Sequence, residues 1–167
     1  MKRTATTAVL AASQLVLVGL AVAPQLSARL TGDTYELRVA LLDPIDPFRG
    51  AYVDLDYPDL DRPGPERGEV SASGEEGGLP GGPGAYYVTL VERDGVWVGD
   101  AWTRERPADG PYLACDDSSW QARCGIESWF LPQDEAAQAE DLLRAGAVAQ
   151  VRIDGRGNAA VVGVRAP

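Results

Sequence analysis

Residues 86–102, YYVTLVERDGVWVGDAW, decide the fold class. Apolar and polar residues alternate on both sides of Asp94-Gly95, with the period of two that turns one face of a strand to a core and the other to water. Asp-Gly between two such runs is a two-residue hairpin turn, because both central residues need positive φ and these types reach it at low cost. Residues 86–92 and 96–102 therefore read as an antiparallel pair. The same alternation recurs outward from there. Tyr35, Leu37, Val39 and Leu41 share a face against Glu36 and Arg38, and Val53, Leu55 and Tyr57 share one against Tyr52, Asp54 and Asp56. Residues 147–153 and 158–165 form a second expected hairpin across Asp154-Gly155-Arg156-Gly157, with further strands at 111–115 and 123–130. One helix is expected at 134–145 (DEAAQAEDLLRA), with acids in its first turn, Ala139, Leu142 and Leu143 in a weak stripe and Gly146 to end it. The fold class that follows is mainly β: an antiparallel strand-rich domain, a small barrel or sandwich, with one helix in its C-terminal half.

Upstream of the first strand the pattern changes. Residues 4–28 are 25 consecutive uncharged residues behind Lys2-Arg3, with an apolar centre at 8–23. A helix of that length, at about 1.5 Å per residue, crosses a hydrocarbon core of about 30 Å. The alternatives are a cleaved signal peptide, since Ala21-Val22-Ala23 has the small-x-small pattern, and a buried helix of a cytosolic protein. Pro24 directly after that bond makes a poor substrate, and Leu26-Ser27-Ala28 places a large residue where a small one is preferred. Residues 1–29 are thus read as a single-pass anchor and 30–167 as the domain it holds outside the cytoplasm at the cell membrane, the positive end staying inside.

Charge narrows the function classes. The domain carries 12 Arg against 25 Asp and Glu, a net −13, which repels nucleic acid and anionic lipid headgroups. The chain has no His and its only Lys is Lys2, so the commonest side-chain general bases and Schiff-base formers are missing from the domain. Ser118, Ser119 and Ser128 lack a usual activating partner, and no Gly-rich phosphate loop precedes a helix. Residues 58–85 hold 8 Gly and 5 Pro in 28 positions, too little apolar surface to order by burial, and are expected to be a disordered surface insertion. Cys115 and Cys124, the only cysteines, bracket eight residues and suit a disulfide across a loop, in keeping with an oxidising compartment. Without CxxC or His they make no zinc site.

Residues 42–57, LDPIDPFRGAYVDLDY, resemble a family of bacterial membrane-anchored proteins named for a Gly-Asp-Tyr-x-x-Leu-x-Tyr motif. Gly50, Tyr52, Leu55 and Tyr57 match the motif, and Asp46, Pro47 and Arg49 match its approach. Residues 124–132, CGIESWFLP, resemble the family's later Tyr-Gly-Ile-Glu block, followed as here by a helix and a terminal hairpin. Ala51 stands where the motif has Asp, Cys124 where Tyr is usual and Gln133 where Glu often follows the proline. The family has no established activity; the resemblance implies a multi-pass membrane protein as partner.

Three chemistries are weighed against plain structural roles. Asp54, Asp56, Asp59 and Asp61 give DxDxxDxD, which can gather calcium, yet the spacing lacks the Gly and closing Glu of an EF-hand. Asp43, Asp46 and Glu127 can supply a carboxylate pair for a small envelope hydrolase, but no companion signature accompanies them. Trp97, Trp102, Trp120 and Trp129 can stack a sugar or peptide, though at strand spacing such residues commonly pack hairpins. The expected role is a non-enzymatic interaction or accessory domain acting with a membrane protein or envelope component, with no cofactor, no metal and no nucleic acid. Asp46, Arg49, Gly50, Tyr52, Leu55, Tyr57 and Glu127 are its candidate site residues. Arg49 is the only cation between Arg38 and Arg62, and Asp46 or Glu127 is its expected partner, Glu127 only where the two strands are neighbours.

Overall fold

A computed structural model describes residues 2–43, 52–61, 79, 81–119, 121–132 and 135–167. Helix α1 (Lys2–Thr31) leads through Gly32 into β1 (Asp33–Asp43), followed by β2 (Tyr52–Asp56) and a 3₁₀ turn at Pro58–Leu60. Then come β3 (Ala85–Arg93), β4 (Val96–Thr103), β5 (Tyr112–Asp116), β6 (Ser128–Phe130), α2 (Ala136–Arg144), β7 (Ala147–Ile153) and β8 (Ala159–Arg165). All strand pairings are antiparallel. One sheet has the order β6-β2-β1-β7-β8, the other β4-β3-β5.

The alternation read from the sequence sets the core. Leu37 and Val39 of β1, Val53 and Leu55 of β2, Val88 and Leu90 of β3 and Leu113 of β5 are buried in one cluster with Ile126, Leu143 and Val151. The β3–β4 turn has φ 53° at Asp94 and 80° at Gly95, the left-handed pair that an Asp-Gly hairpin requires. Tyr35 meets Trp97 edge-on at 4.9 Å and links β1 to β4, while Ala114 donates its N–H to the Gly157 carbonyl at 2.9 Å and links β5 to the β7–β8 turn. The five-stranded sheet curls so far that its edges, β6 and β8, line a common cavity, which makes it a nearly closed, barrel-like sheet.

Several boundaries differ from the sequence reading for local reasons. The strand expected at 123–130 is confined to β6, with Arg123 making a lone bridge to Asp116. Between them the backbone turns, because the Glu127 carboxylate accepts the N–H groups of Cys124 and Gly125. Helix α2 begins at Ala136 with Glu135 as its N-cap, so no acid lies in its first turn; Ala139 and Leu143 form the buried stripe as expected. At the start of the Gly- and Pro-rich stretch, the Leu60 carbonyl accepts the Trp102 indole N–H at 3.2 Å and Asp59 pairs with Arg38. Near its end, the Gly84 N–H donates to Asp117 at 2.7 Å. Cys115 and Cys124 are joined as a disulfide. Trp129 is partly buried against the core, as are Trp97 and Trp102; Trp120 lies outside the described residues.

Candidate functional site

The two sequence blocks that carry the motif become adjacent strands. Tyr52 lies opposite Phe130, Val53 opposite Trp129 and Asp54 opposite Ser128. Ser128 Oγ donates to Asp54 at 3.3 Å across 74 residues of sequence, and Leu55 donates its N–H to the Glu127 carbonyl at 2.7 Å. Leu55 is in the core. The Tyr57 hydroxyl, also buried, donates to the Ile126 carbonyl at 3.0 Å. Burial pushes the Tyr57 phenol well above its ordinary pKa and the Glu127 charge pushes the same way, so it stays protonated and keeps donating.

Glu127 shapes the turn before β6. Its carboxylate accepts from Cys124, and from Gly125 at 3.2 and 3.1 Å. Thus Leu55, Tyr57 and Glu127 each have partners within the fold. Asp46, Arg49 and Gly50 lie outside the described residues, as does Ala51, and Tyr52 is described through its strand pairing alone.

The other expected chemistries find their residues spread over different partners. Asp59 takes a two-point bond from Arg38 at 2.6 and 3.2 Å, while Asp54 takes Ser128. Asp61 is pushed up, first by burial and then by the neighbouring Asp56 charge. No group of three or more Asp, Glu, Cys or His gathers as a cation site among the described residues. Of the expected carboxylate pair, Glu127 is engaged with backbone N–H groups, Asp43 ends β1 and Asp46 lies outside the described residues.

Beside the motif strands stands a junction that the sequence reading did not single out. Gln25 Nε2 donates to the Gly125 carbonyl at 2.9 Å, and Ser27 Oγ to Asp154 at 2.5 Å. Arg29 donates to the Val161 carbonyl at 3.1 Å. Arg152 reaches back to the helix end, donating to the Gly32 carbonyl at 2.9 and 2.6 Å and to the Arg29 carbonyl, and so satisfies acceptors that a helix C-terminus leaves open. Ala28 is fully buried, and a Cβ at Gly32 would lie 2.5 Å from the Ala28 oxygen and 2.8 Å from the Ile153 carbonyl carbon, so only glycine lets helix and sheet approach this closely. Asp154 anchors the far side. Burial raises its carboxyl pKa, but Asn158 Nδ2, Ser27 and the N–H groups of Arg156 and Asn158 together hold it below the usual range.

Between α1 and the two sheet edges lies a cavity of about 510 Å³, walled by Gln25 and Arg29 on one side and by Trp129, Phe130, Val161 and Val162 on the other. Its signal in the sequence was slight: polar residues placed just past an apolar run, and the aromatic pair Trp129-Phe130. The site therefore joins three things, the end of an apolar helix, the second motif block and an open barrel seam.

No curated protein and no solved structure matches the chain. Residues 14–164, nearly the whole of it, match the family model described as GDYXXLXY protein. The match spans α1 from Gln14 onward, both motif strands and the terminal hairpin, so this chain belongs to the GDYXXLXY family.

Proposed function

We propose that this chain is a membrane-anchored accessory domain that works outside the cytoplasm on a membrane protein or other envelope component lying close to the bilayer. The observation that carries this reading is the junction: α1, which has a 26-residue stretch long and apolar enough to span a bilayer, enters β1 through Gly32 alone and is bonded to the domain by Gln25, Ser27 and Arg29. A domain held without a linker reaches only about its own diameter from the anchor, and for this size the radius of gyration is about 14 Å. Its partner is then a neighbour in or on the same membrane. Lys2-Arg3 at the cytoplasmic end and the Cys115–Cys124 disulfide both favour the outward orientation. Cleavage after Ala28 is disfavoured because Gln25, Ser27 and Ala28 belong to the domain's packing, and cleavage after Ala23 by Pro24 directly beyond that bond.

Cross-linking in native membranes, followed by capture of the full chain, tests this reading. A multi-pass membrane protein or an envelope component is the expected catch, and intact mass should show the helix present. A mature chain beginning at Pro24 or Arg29, or free thiols in protein alkylated directly in cells, would overturn the anchored outward arrangement.

A further inference from the structure

Outside α1, the large hydrophobic residues left exposed among the described residues are Phe130, at 77%, and Val162, at 42%. They sit on different strands, the two edges of the five-stranded sheet, and both line the cavity that Gln25 and Arg29 close. Their place along α1 matters. The apolar run of the helix ends at Ala23, and Arg29 is its first charge after Arg3, so the change from apolar to polar falls across the turn that faces this cavity. At 3.6 residues per turn, Val22 lies on the same stripe as Gln25 and Arg29, one turn toward the apolar end, and it is 51% exposed.

Each charged group lining the cavity has a backbone partner within the protein. Arg29 donates to the Val161 carbonyl, and Glu127 accepts backbone N–H groups. In a domain of net charge −13 this leaves an apolar wall next to the helix, where the remaining surface would be repelled by anionic headgroups. Gln25, Ser27, Arg29 and Arg152 also fix the height of that wall along α1, so its depth does not depend on a flexible tether.

We propose that Phe130 and Val162 rest in the boundary between acyl chains and headgroups of the bilayer that α1 crosses, making a second membrane contact that seats the domain on the lipid surface. The occupant of the seam is lipid of that bilayer, because the wall stands about one helical turn past the apolar run of the spanning helix, at its polar boundary. This rests on the reading of α1 as a membrane span. Interfacial seating suits an aromatic residue beside a membrane helix.

The test uses the full chain in phosphatidylcholine nanodiscs, with and without bromine high on the acyl chains, and takes the emission of Phe130→Trp as the difference from wild type. The added fluorescence should be blue-shifted and quenched to about half or less by the brominated lipid, as for an indole at the interface. Val162→Trp, on the other edge strand, should behave alike, so that a folding defect in one variant leaves the other to decide. Red-shifted, unquenched emission at both positions from protein inserted in the disc would overturn the seating while leaving α1 as a span. Failure of the chain to insert would overturn both readings. Quenching absent in lipid discs, with a blue shift only in native membranes, would overturn the lipid and assign the seam to a neighbouring membrane protein.

Discussion

The two sheets differ in how far along the chain their strands find partners. The three-stranded sheet is local: β3 and β4 meet across two residues, β5 follows, and a disulfide closes the next loop across a separation of 9. The five-stranded sheet joins two local pairs, β1–β2 and β7–β8, through remote pairings, with β1 against β7, β2 against β6 and the end of α1 against β7 and β8. Both motif blocks and the anchor belong to the second. The difference teaches where the proposed function is to be sought: the remote pairings tie a helix long and apolar enough to span a membrane to a family motif.

The comparison breaks most readily at Gly32. A Gly32→Val side chain would meet backbone on both sides, Ala28 in the helix and Ile153 in β7, and neither can move without displacing its element. A loss of about 3 kcal/mol is expected, near the upper end for overpacking. In a chain of this size that lowers the melting temperature by about 10 °C. Thermal unfolding of the full chain in detergent measures it, and proteolysis should open the junction before the β3–β4 hairpin. An unchanged melting temperature would mean that helix and sheet are not rigidly coupled.

The next effect belongs to the local sheet. Changing both Cys115 and Cys124 to Ser releases a loop of about ten residues, worth about 2.5 kcal/mol in the chain-entropy account of disulfides. Hydrogen exchange should rise first in β5 and the adjoining part of β3. Equal loosening of β7 and β8 would show that the two sheets do not differ as described.

How much of this was legible follows the division between local and remote pairings. Asp94-Gly95 announced the β3–β4 hairpin because turn chemistry is local, and the Asp154–Gly157 turn did the same for β7 and β8. The spacing of Cys115 and Cys124 gave the disulfide. No local signal pairs β2 with β6, so the strand order stayed hidden, and Glu127 could be tied to the motif only on the condition that those strands were neighbours. The docking of α1 was missed for a related reason. Gln25 and Ser27 look like polar interruptions of an apolar run, and only their partners, Gly125 and Asp154, about a hundred residues or more away, give them meaning.

Acid sharpens the contrast by a smaller amount. The folded-state pKa of Asp154 lies below its unfolded value, so its contribution is present above the ordinary carboxylate range and is lost as pH falls through the folded pKa. About 2 kcal/mol is expected for a buried carboxylate with several donors. Asp154→Asn should lower stability at neutral pH and flatten the acid slope. If wild type and variant keep parallel profiles from neutral to acid pH, the carboxylate is not the group that ties helix to turn.

The smallest effect tests whether the last motif tyrosine is a structural donor. Tyr57 ends the matched motif, and Ile126 lies in the second block, so the 3.0 Å bond between them is a direct link between the two. Tyr57→Phe keeps the ring and its packing and removes only the hydroxyl, leaving the Ile126 carbonyl without that donor in a buried place. A loss of about 1 kcal/mol follows from one neutral hydrogen bond. Tyr57→Ala should cost about 3–5 kcal/mol, because a cavity is added to the lost bond. Denaturant unfolding with an unchanged m-value separates these, and a Phe variant that keeps full stability yet loses partner capture would move Tyr57 from scaffold to recognition. The bond is independent of pH over the range in which the protein is folded, since burial and Glu127 both keep the phenol protonated, so the difference between wild type and Tyr57→Phe should be the same at every pH where the acid slope of Asp154 has not begun.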